Sequence, residues 1–373
     1  SLATFCISRQ NLQHIYRLIS YILTKMPEAV QDRGKAARQF LYTTVYDQCF
    51  SPCGKYLAAC SNYGDIALFS VSAALSSDAT EKSKHPITSF KACKDGAIFT
   101  LTSTDTFLIS AGDGEIKAWR WGDLKSKTPK VAWSFSLPRS GVFSNAEVNS
   151  IAIDEKMGTP RLYAGAGDRK IHVWDIEAGQ YLTGMEGHTD YIHKVIMKNE
   201  GQECVSASED GTIRMWDTRT ATETFSCLEP HKNELCARPF VGKWLRCLAL
   251  DPEEGWLVCG GGPKMSAWHL RTLSPTTIFD TPGVSQNVAI FNDEFIMSGG
   301  TAPCMNHWRL DGTLQSSIPC TPTGVYSLAV NKNSESNKVL CISGASPNID
   351  ACINFGYKAF SFVFNINKTS WTS

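Results

Sequence analysis

A tight turn, a β-type run and a closing tryptophan recur along this chain at intervals of about forty to fifty-five residues, the size of a four-stranded propeller blade. Two copies end alike in Trp-Asp: "GDRKIHVWD" at 167–175 and "EDGTIRMWD" at 209–217. Looser copies are "GDGEIKAWRW" with Trp119, "GGGPKMSAWHL" with Trp268 and "GGTAPCMNHWRL" with Trp308. Two degenerate copies, "NYGDIALFSV" at 62–71 and "SPNIDACINFGY" at 346–357, bracket the set. Seven copies predict an all-β, seven-bladed β-propeller over residues 39–365. They leave 1–38 as an N-terminal extension and 366–373 as a C-terminal tail.

The strands of one copy follow from residues 181–226. "DYIHKVIMK" is rich in β-branched and aromatic residues, and "ECVSAS" is a short apolar run. Asp210-Gly211 marks a tight turn, so "TIRMWD" is expected to pair back as a hairpin. "ATETFSCL" would be the outer strand. Ring closure stays open between "KAFSFVF" at 358–364 and "FLYTTVY" at 40–46. In the extension, residues 10–25 place Leu12, Ile15, Tyr16, Ile19, Ile22 and Leu23 at helical spacing, with Pro27 as the stop.

Composition removes several function classes. Lys+Arg number 36 and Asp+Glu 36, so the global cation surplus that would wrap a nucleic-acid backbone is missing. No stretch of about 18 uncharged apolar residues occurs, which argues against a membrane partner. The 14 cysteines are scattered, without C-x-x-C or zinc-finger spacing. They read as buried thiols of a reducing compartment. The start, "SLATFCISRQ", has neither an initiator Met nor a signal pattern and reads as a fragment or a processed form. "GGG" at 260–262 lacks the Gly-Lys-Ser/Thr of a phosphate loop and reads as relief of crowding at a hairpin turn. His269 and His307 have no ligand partners at metal spacing. No cofactor and no small-molecule substrate is expected.

Gly187-His188, Asp210-Gly211 and Trp216-Asp217 resemble the signature of the WD-repeat β-propeller family. That resemblance implies a polar network inside one blade, made of His188, Ser206, Asp210 and Trp216. The third copy keeps Asp168 and Trp174 but has Ala164 where the serine would stand. The second keeps Asp113 and Trp119, with Cys93 near the histidine's place. A Ser-His-Asp set also suggests a hydrolase, but catalysis needs an exposed nucleophile and an oxyanion site. Ser206 precedes a turn, and no G-x-S-x-G occurs. The set is therefore read as structural and the chain as no enzyme.

Longer strings, among them "SPCGKYLAACSNYGDIALFSVSAALSSDATEKSK", "VCGGGPKMSAWHLRTLSPTTIF" and "FGYKAFSF", resemble the subunit 6 family of the THO complex. The resemblance covers about Phe40 to Phe362. It implies a non-catalytic, nuclear scaffold of the THO/TREX assembly that couples transcription and processing to messenger-RNA export. The implied partners are the coiled-coil THO subunits five and seven, with RNA reached only through the complex. Two long loops, 137–147 and 229–242, offer Phe143, Leu235, Arg238 and Phe240 as candidate partner-binding anchors. The segment "SSDATEKSKHP" at 76–86 reads as a solvated linker without order. An alternative is a cullin-type ubiquitin-ligase substrate receptor, whose W-D-x-R motif fits Trp216-Asp217-Thr218-Arg219 and, loosely, Trp268 to Arg271.

Overall fold

The computed structural model describes residues 28–126, 128–138, 146–156, 158–220 and 224–365. Residues 43–368 form one compact unit. Twenty-eight strands, β1 (Val45–Phe50) to β28 (Tyr357–Val363), form seven four-stranded antiparallel sheets, each a meander of consecutive strands. The seven-bladed propeller expected from the repeats is the fold. Blade 4 shows the pattern in full, with β13 (Ile192–Lys198), β14 (Glu203–Ser208), β15 (Ile213–Asp217) and β16 (Thr224–Leu228). β14 is buried at five of its six positions, because neighbouring blades cover both of its faces. β16 alternates between half-buried and exposed, as an outer edge must.

The core is divided among the blade interfaces. Seven apolar clusters form, each between two adjacent blades. Trp216 of blade 4 packs with Tyr163 and Ile171 of blade 3, and Trp268 of blade 5 packs with Val205 and Ile213 of blade 4. Trp119, Trp174 and Trp308 likewise each cover the preceding blade. Burying one such indole removes roughly 150–250 Å² from water, worth roughly 4–6 kcal/mol before entropy. The recurring tryptophan thus ties each blade to the one before it. Cysteines fill the same layers: Cys204, Cys247, Cys259, Cys341 and Cys352 are buried free thiols, and burial pushes the Cys259 thiol up to about 12.

β28 completes the last sheet within blade 7, and β1 is the inner strand of blade 1. Phe40–Leu41 belong to a helix, α1 (Glu28–Leu41), which the sequence reading did not foresee. "FLYTTVY" therefore does not supply an outer strand. Pro27, read as a helix stop, lies outside the described residues. The expected helix at 10–25 and the tail at 366–373 lie outside the described residues. With no shared strand, the seam between blades 7 and 1 is held by packing and side chains. Phe69 and Phe362 meet at 5.1 Å between ring centroids. Ser327 donates to Asp47 at 2.7 Å, Gln48 to the Cys341 carbonyl at 2.8 Å, and Asn331 to the Gly54 carbonyl at 2.8 Å.

The segment read as an unordered linker, 76–86, carries one short ordered piece, and another stands just ahead of it. Helix α2 (Val71–Ala74) starts where Ser70 accepts from the Ala73 amide, and a 3₁₀ turn spans Glu81–Lys84.

All seven inner strands share one irregularity. Each has a register shift beside its first residue, as between Val45 and Asp47, Ile192 and Lys194, or Leu245 and Cys247. The same shift recurs in the other four. A bulge bends the strand and re-aims a side chain. Here the first residue stays buried and the second turns into the central channel.

Candidate functional site

Antiparallel register places the blade-4 network at one end of the sheet. Ile192 opposes Ser208 and Ile213 opposes Leu228, so the start of β13, the 209–212 turn and the end of β16 share a face. Gly211 sits at φ +84°, and a Cβ there would come within 2.8 Å of His231 Nδ1 and 2.9 Å of Lys243 Cβ. The Asp-Gly turn is thus a fixed geometric requirement, and it aims the Asp210 carboxylate back at the sheet.

The four network residues meet as one chain of bonds. Trp216 Nε1 donates to Ser206 Oγ at 2.8 Å, and Ser206 Oγ lies 2.7 Å from His188 Nε2. His188 Nδ1 lies 2.9 Å from Asp210 Oδ2. The indole can only donate, so the serine hydroxyl gives its proton to Nε2 and the imidazole N–H goes to the carboxylate. Thr212 Oγ1 and the Thr189 amide also donate to Asp210. Burial would raise the Asp210 carboxyl, but these bonds outweigh it and hold it well below the usual carboxylate range. Burial pushes the His188 imidazole below its usual value, against the pull of Asp210. The stable form is a neutral histidine on an ionised aspartate.

These distances would suit a catalytic triad, but exposure decides against one. Ser206 has 0% of its surface exposed, and its oxygen is occupied by the Trp216 indole. A nucleophile has to meet its substrate. The arrangement is a crosslink between the strands of one blade.

Other blades reach similar ends by different residues, which the sequence reading missed. In blade 6, Trp308 donates to Ser298 at 2.9 Å, with Ser298 at the position equivalent to Ser206. In blade 5 that position is Cys259, and Trp268 donates instead to Ser266, two residues back on its own strand and opposite Cys259. In blade 3, Ala164 faces His172, which binds Asp168 at 3.0 Å through Nε2 and the Tyr181 hydroxyl at 3.1 Å through Nδ1. Burial acts to raise Asp168, yet the His172 bond leaves it lowered. In blade 2, Asp113 forms a bridge with Glu147, and burial raises its carboxyl. His269 and His307 bond to Thr272 and Ser316, respectively.

The 229–242 loop lies on the same face. Phe240 is 105% exposed and Leu235 63%. Arg238 behaves differently from the exposed anchor its loop implied. Its guanidinium lies half-buried and donates to the carbonyls of Gly261, Gly262, Pro263 and Val284 and to Ser285 Oγ, at 2.7–3.2 Å. The "GGG" segment gives that side chain its bed of carbonyls. Arg238 therefore clamps blades 5 and 6 and leaves Leu235 and Phe240 to face outward. Phe143 lies outside the described residues. In the W-D-x-R stretch, Arg219 is engaged by Asp217 through two bonds of 2.9 and 2.6 Å.

Sequence comparison now bears on this architecture. The family model "WD domain, G-beta repeat" matches residues 39–70 and 179–217, which contain the first three strands of blade 1 and all four residues of the blade-4 network. The chain is 44% identical over 326 residues to a Danio rerio protein named THO complex subunit 6 homolog, covering 87% of this chain and 99% of the relative. It is 42% identical over 330 residues to the Homo sapiens THO complex subunit 6, covering 88% and 95%. The Drosophila melanogaster THO complex subunit 6 is 34% identical over 291 residues, covering 77% and 80%. The match spans 326 to 330 residues in the first two of these relatives, far more than one repeat motif. With its seven-bladed ring and its likeness along nearly the full length of these relatives, the chain belongs to the THO complex subunit 6 family of WD-repeat proteins.

Proposed function

We propose that this protein is a non-catalytic interaction subunit of a nuclear THO/TREX-type complex that couples transcription and processing to messenger-RNA export. The observation that carries the reading is the end-to-end likeness to proteins named THO complex subunit 6. The ring supports it physically. The triad-like constellation of blade 4 is sealed inside the blade, whereas the exposed Leu235 and Phe240 project from a loop anchored by Arg238. Large apolar side chains held out on a rigid support are what a protein interface needs at its centre. The partners in this reading are the coiled-coil THO subunits five and seven, and RNA is reached through them.

The test is capture of purified coiled-coil subunits five and seven by the tagged chain, compared with a Leu235→Ser/Phe240→Ser variant. Capture is expected to fall about tenfold or more, while the melting temperature stays put. Absence of capture by the unmodified chain would refute membership in such a complex. Undiminished capture by the variant would move the interface elsewhere on the ring.

A further inference from the structure

The bulge in each inner strand places one side chain per blade around the channel mouth, where the cavity measures about 450 Å³. The ring is strongly lopsided. Tyr46, Phe99 and Tyr326 come from blades 1, 2 and 7 and form a continuous aromatic arc, with centroids 5.5 Å (Tyr46–Phe99) and 5.9 Å (Tyr46–Tyr326) apart. Asn149 and Asn287 use their amides to bridge to the next blades' carbonyls, at 3.0 and 3.1 Å. His193 faces Glu209 at 2.6 Å. Blade 5 contributes Arg246, which lies 5.2 Å from the Tyr326 ring centre. Lys194 lines the same cavity.

Arg246 and Lys194 form no ion pair with any described residue, and both are half-buried. The acidic groups nearby are otherwise placed. Asp47 accepts from Ser327, Thr100 and the Leu101 amide, at 2.7, 3.1 and 2.8 Å. Glu209 is on His193, and Glu147 stands exposed on the rim, close enough to act on Tyr46. Asp47 lines the same cavity but is held by neutral donors, so the two cations beside the aromatic wall keep their own hydrogen-bond donors open to a ligand. A guanidinium binds a carboxylate through two parallel bonds, and partial burial strengthens them.

We infer that the channel mouth receives an acidic peptide segment of a protein partner. Its carboxylate lies on Arg246 and Lys194, and a neighbouring aromatic or aliphatic side chain lies against the Tyr46–Phe99–Tyr326 arc. The cavity admits one or two side chains, which fits an extended segment and excludes a folded domain. A nucleic-acid strand would need a cationic track, and the chain's charge balances at 36 against 36. A phosphorylated side chain would call for an arginine cluster, and this mouth holds a single arginine. The inference rests on the reading of the protein as an interaction subunit and adds the chemistry of one of its partners.

The experiment measures fluorescence anisotropy of the full chain with labelled peptides. One probe carries a central Glu-Phe pair; its matches carry Gln-Phe or phosphoserine-Phe, and a short oligouridine is the fourth probe. The Glu-Phe peptide is expected to bind about tenfold more tightly than Gln-Phe, with Arg246→Gln erasing that difference and Lys194→Gln reducing it. Both variants are expected to keep the parent's melting temperature. Equal binding of the Glu-Phe and Gln-Phe peptides overturns the inference. So does an Arg246→Gln variant that binds like the parent, or preference for the phosphoserine peptide or the oligouridine. Capture of the coiled-coil subunits is measured on the same samples. If capture persists while peptide discrimination fails, the channel inference alone falls; the reverse result removes only the proposed partners.

Discussion

Ser206→Ala tests the blade-4 network most directly. The hydroxyl accepts the Trp216 indole N–H and donates to His188 Nε2, at 2.8 and 2.7 Å, in a site with no exposed surface. Alanine removes both bonds and orphans two buried polar atoms. Each orphan costs roughly 1–3 kcal/mol, so about 3 kcal/mol is expected. Ser298→Ala in blade 6 orphans only the Trp308 indole and is expected to cost about half as much. At roughly 2.1 cal/mol/K per residue the ring has an unfolding entropy of about 0.7 kcal/mol/K, so the Ser206 change corresponds to about 4 °C. The assay is thermal and urea denaturation of Ser206→Ala, His188→Ala and the double variant. Once either residue is gone, losing the other breaks fewer bonds, so the double variant is expected to fall short of the sum by about 1 kcal/mol or more. Strict additivity, or a Ser206→Ala melting temperature equal to the parent's, would refute a connected network.

Acid is expected to weaken the same blade. His188 and Asp210 both have folded pKa values below their unfolded ones, so each contributes stability that is complete above its unfolded pKa and is lost as pH falls. Below about pH 6.5 the unfolded His188 takes a proton that the folded one refuses, and below about pH 4 Asp210 adds its share. His188→Gln should therefore flatten the decline in melting temperature between pH 7 and pH 5. Arg238→Ala strips donors from four carbonyls and Ser285 and is expected to cost about 2–3 kcal/mol, whereas Phe240→Ala leaves the melting temperature unchanged. Equal melting temperatures for the two variants would show that Arg238 is not a clamp. Asn331→Ala removes a bridge from blade 7 to the Gly54 carbonyl and should speed amide exchange in β1 and β26 (Val339–Gly344) ahead of the other blades. Uniform exchange around the ring would contradict a side-chain-held seam.

The fold was legible because the repeat unit carries its own punctuation. Turn, apolar run and tryptophan recur even in copies that lost the rest of the signature. Blade 4 was legible as a site because all four polar positions are filled by the usual types. Ser266 and His172 were not, because the substitute sits across the hairpin from the expected position. Cys259 opposes Ser266 and Ala164 opposes His172, and only strand register reveals that pairing. Arg238 was hidden for a similar reason. Its acceptors lie 23–47 residues away in sequence, on two blades, so no local pattern announces them. The channel ring escaped notice because the second residues of the inner strands share a place but no chemistry. A repeat search looks for likeness, and here only the bulge is alike.

Because every blade is a contiguous meander, no strand has to wait for a partner from the far end of the chain. Each hairpin can zip soon after it leaves the ribosome, and each new blade finds the previous one ready to receive its indole. The only long-range event left is the meeting of the first and last blades, a docking of finished surfaces with no threading or exchange of segments. For the same reason the blade at which the chain starts is arbitrary to the ring, provided the cyclic order of the blades is kept. A circular permutant that joins the two ends and starts in another outer connection keeps every interface intact.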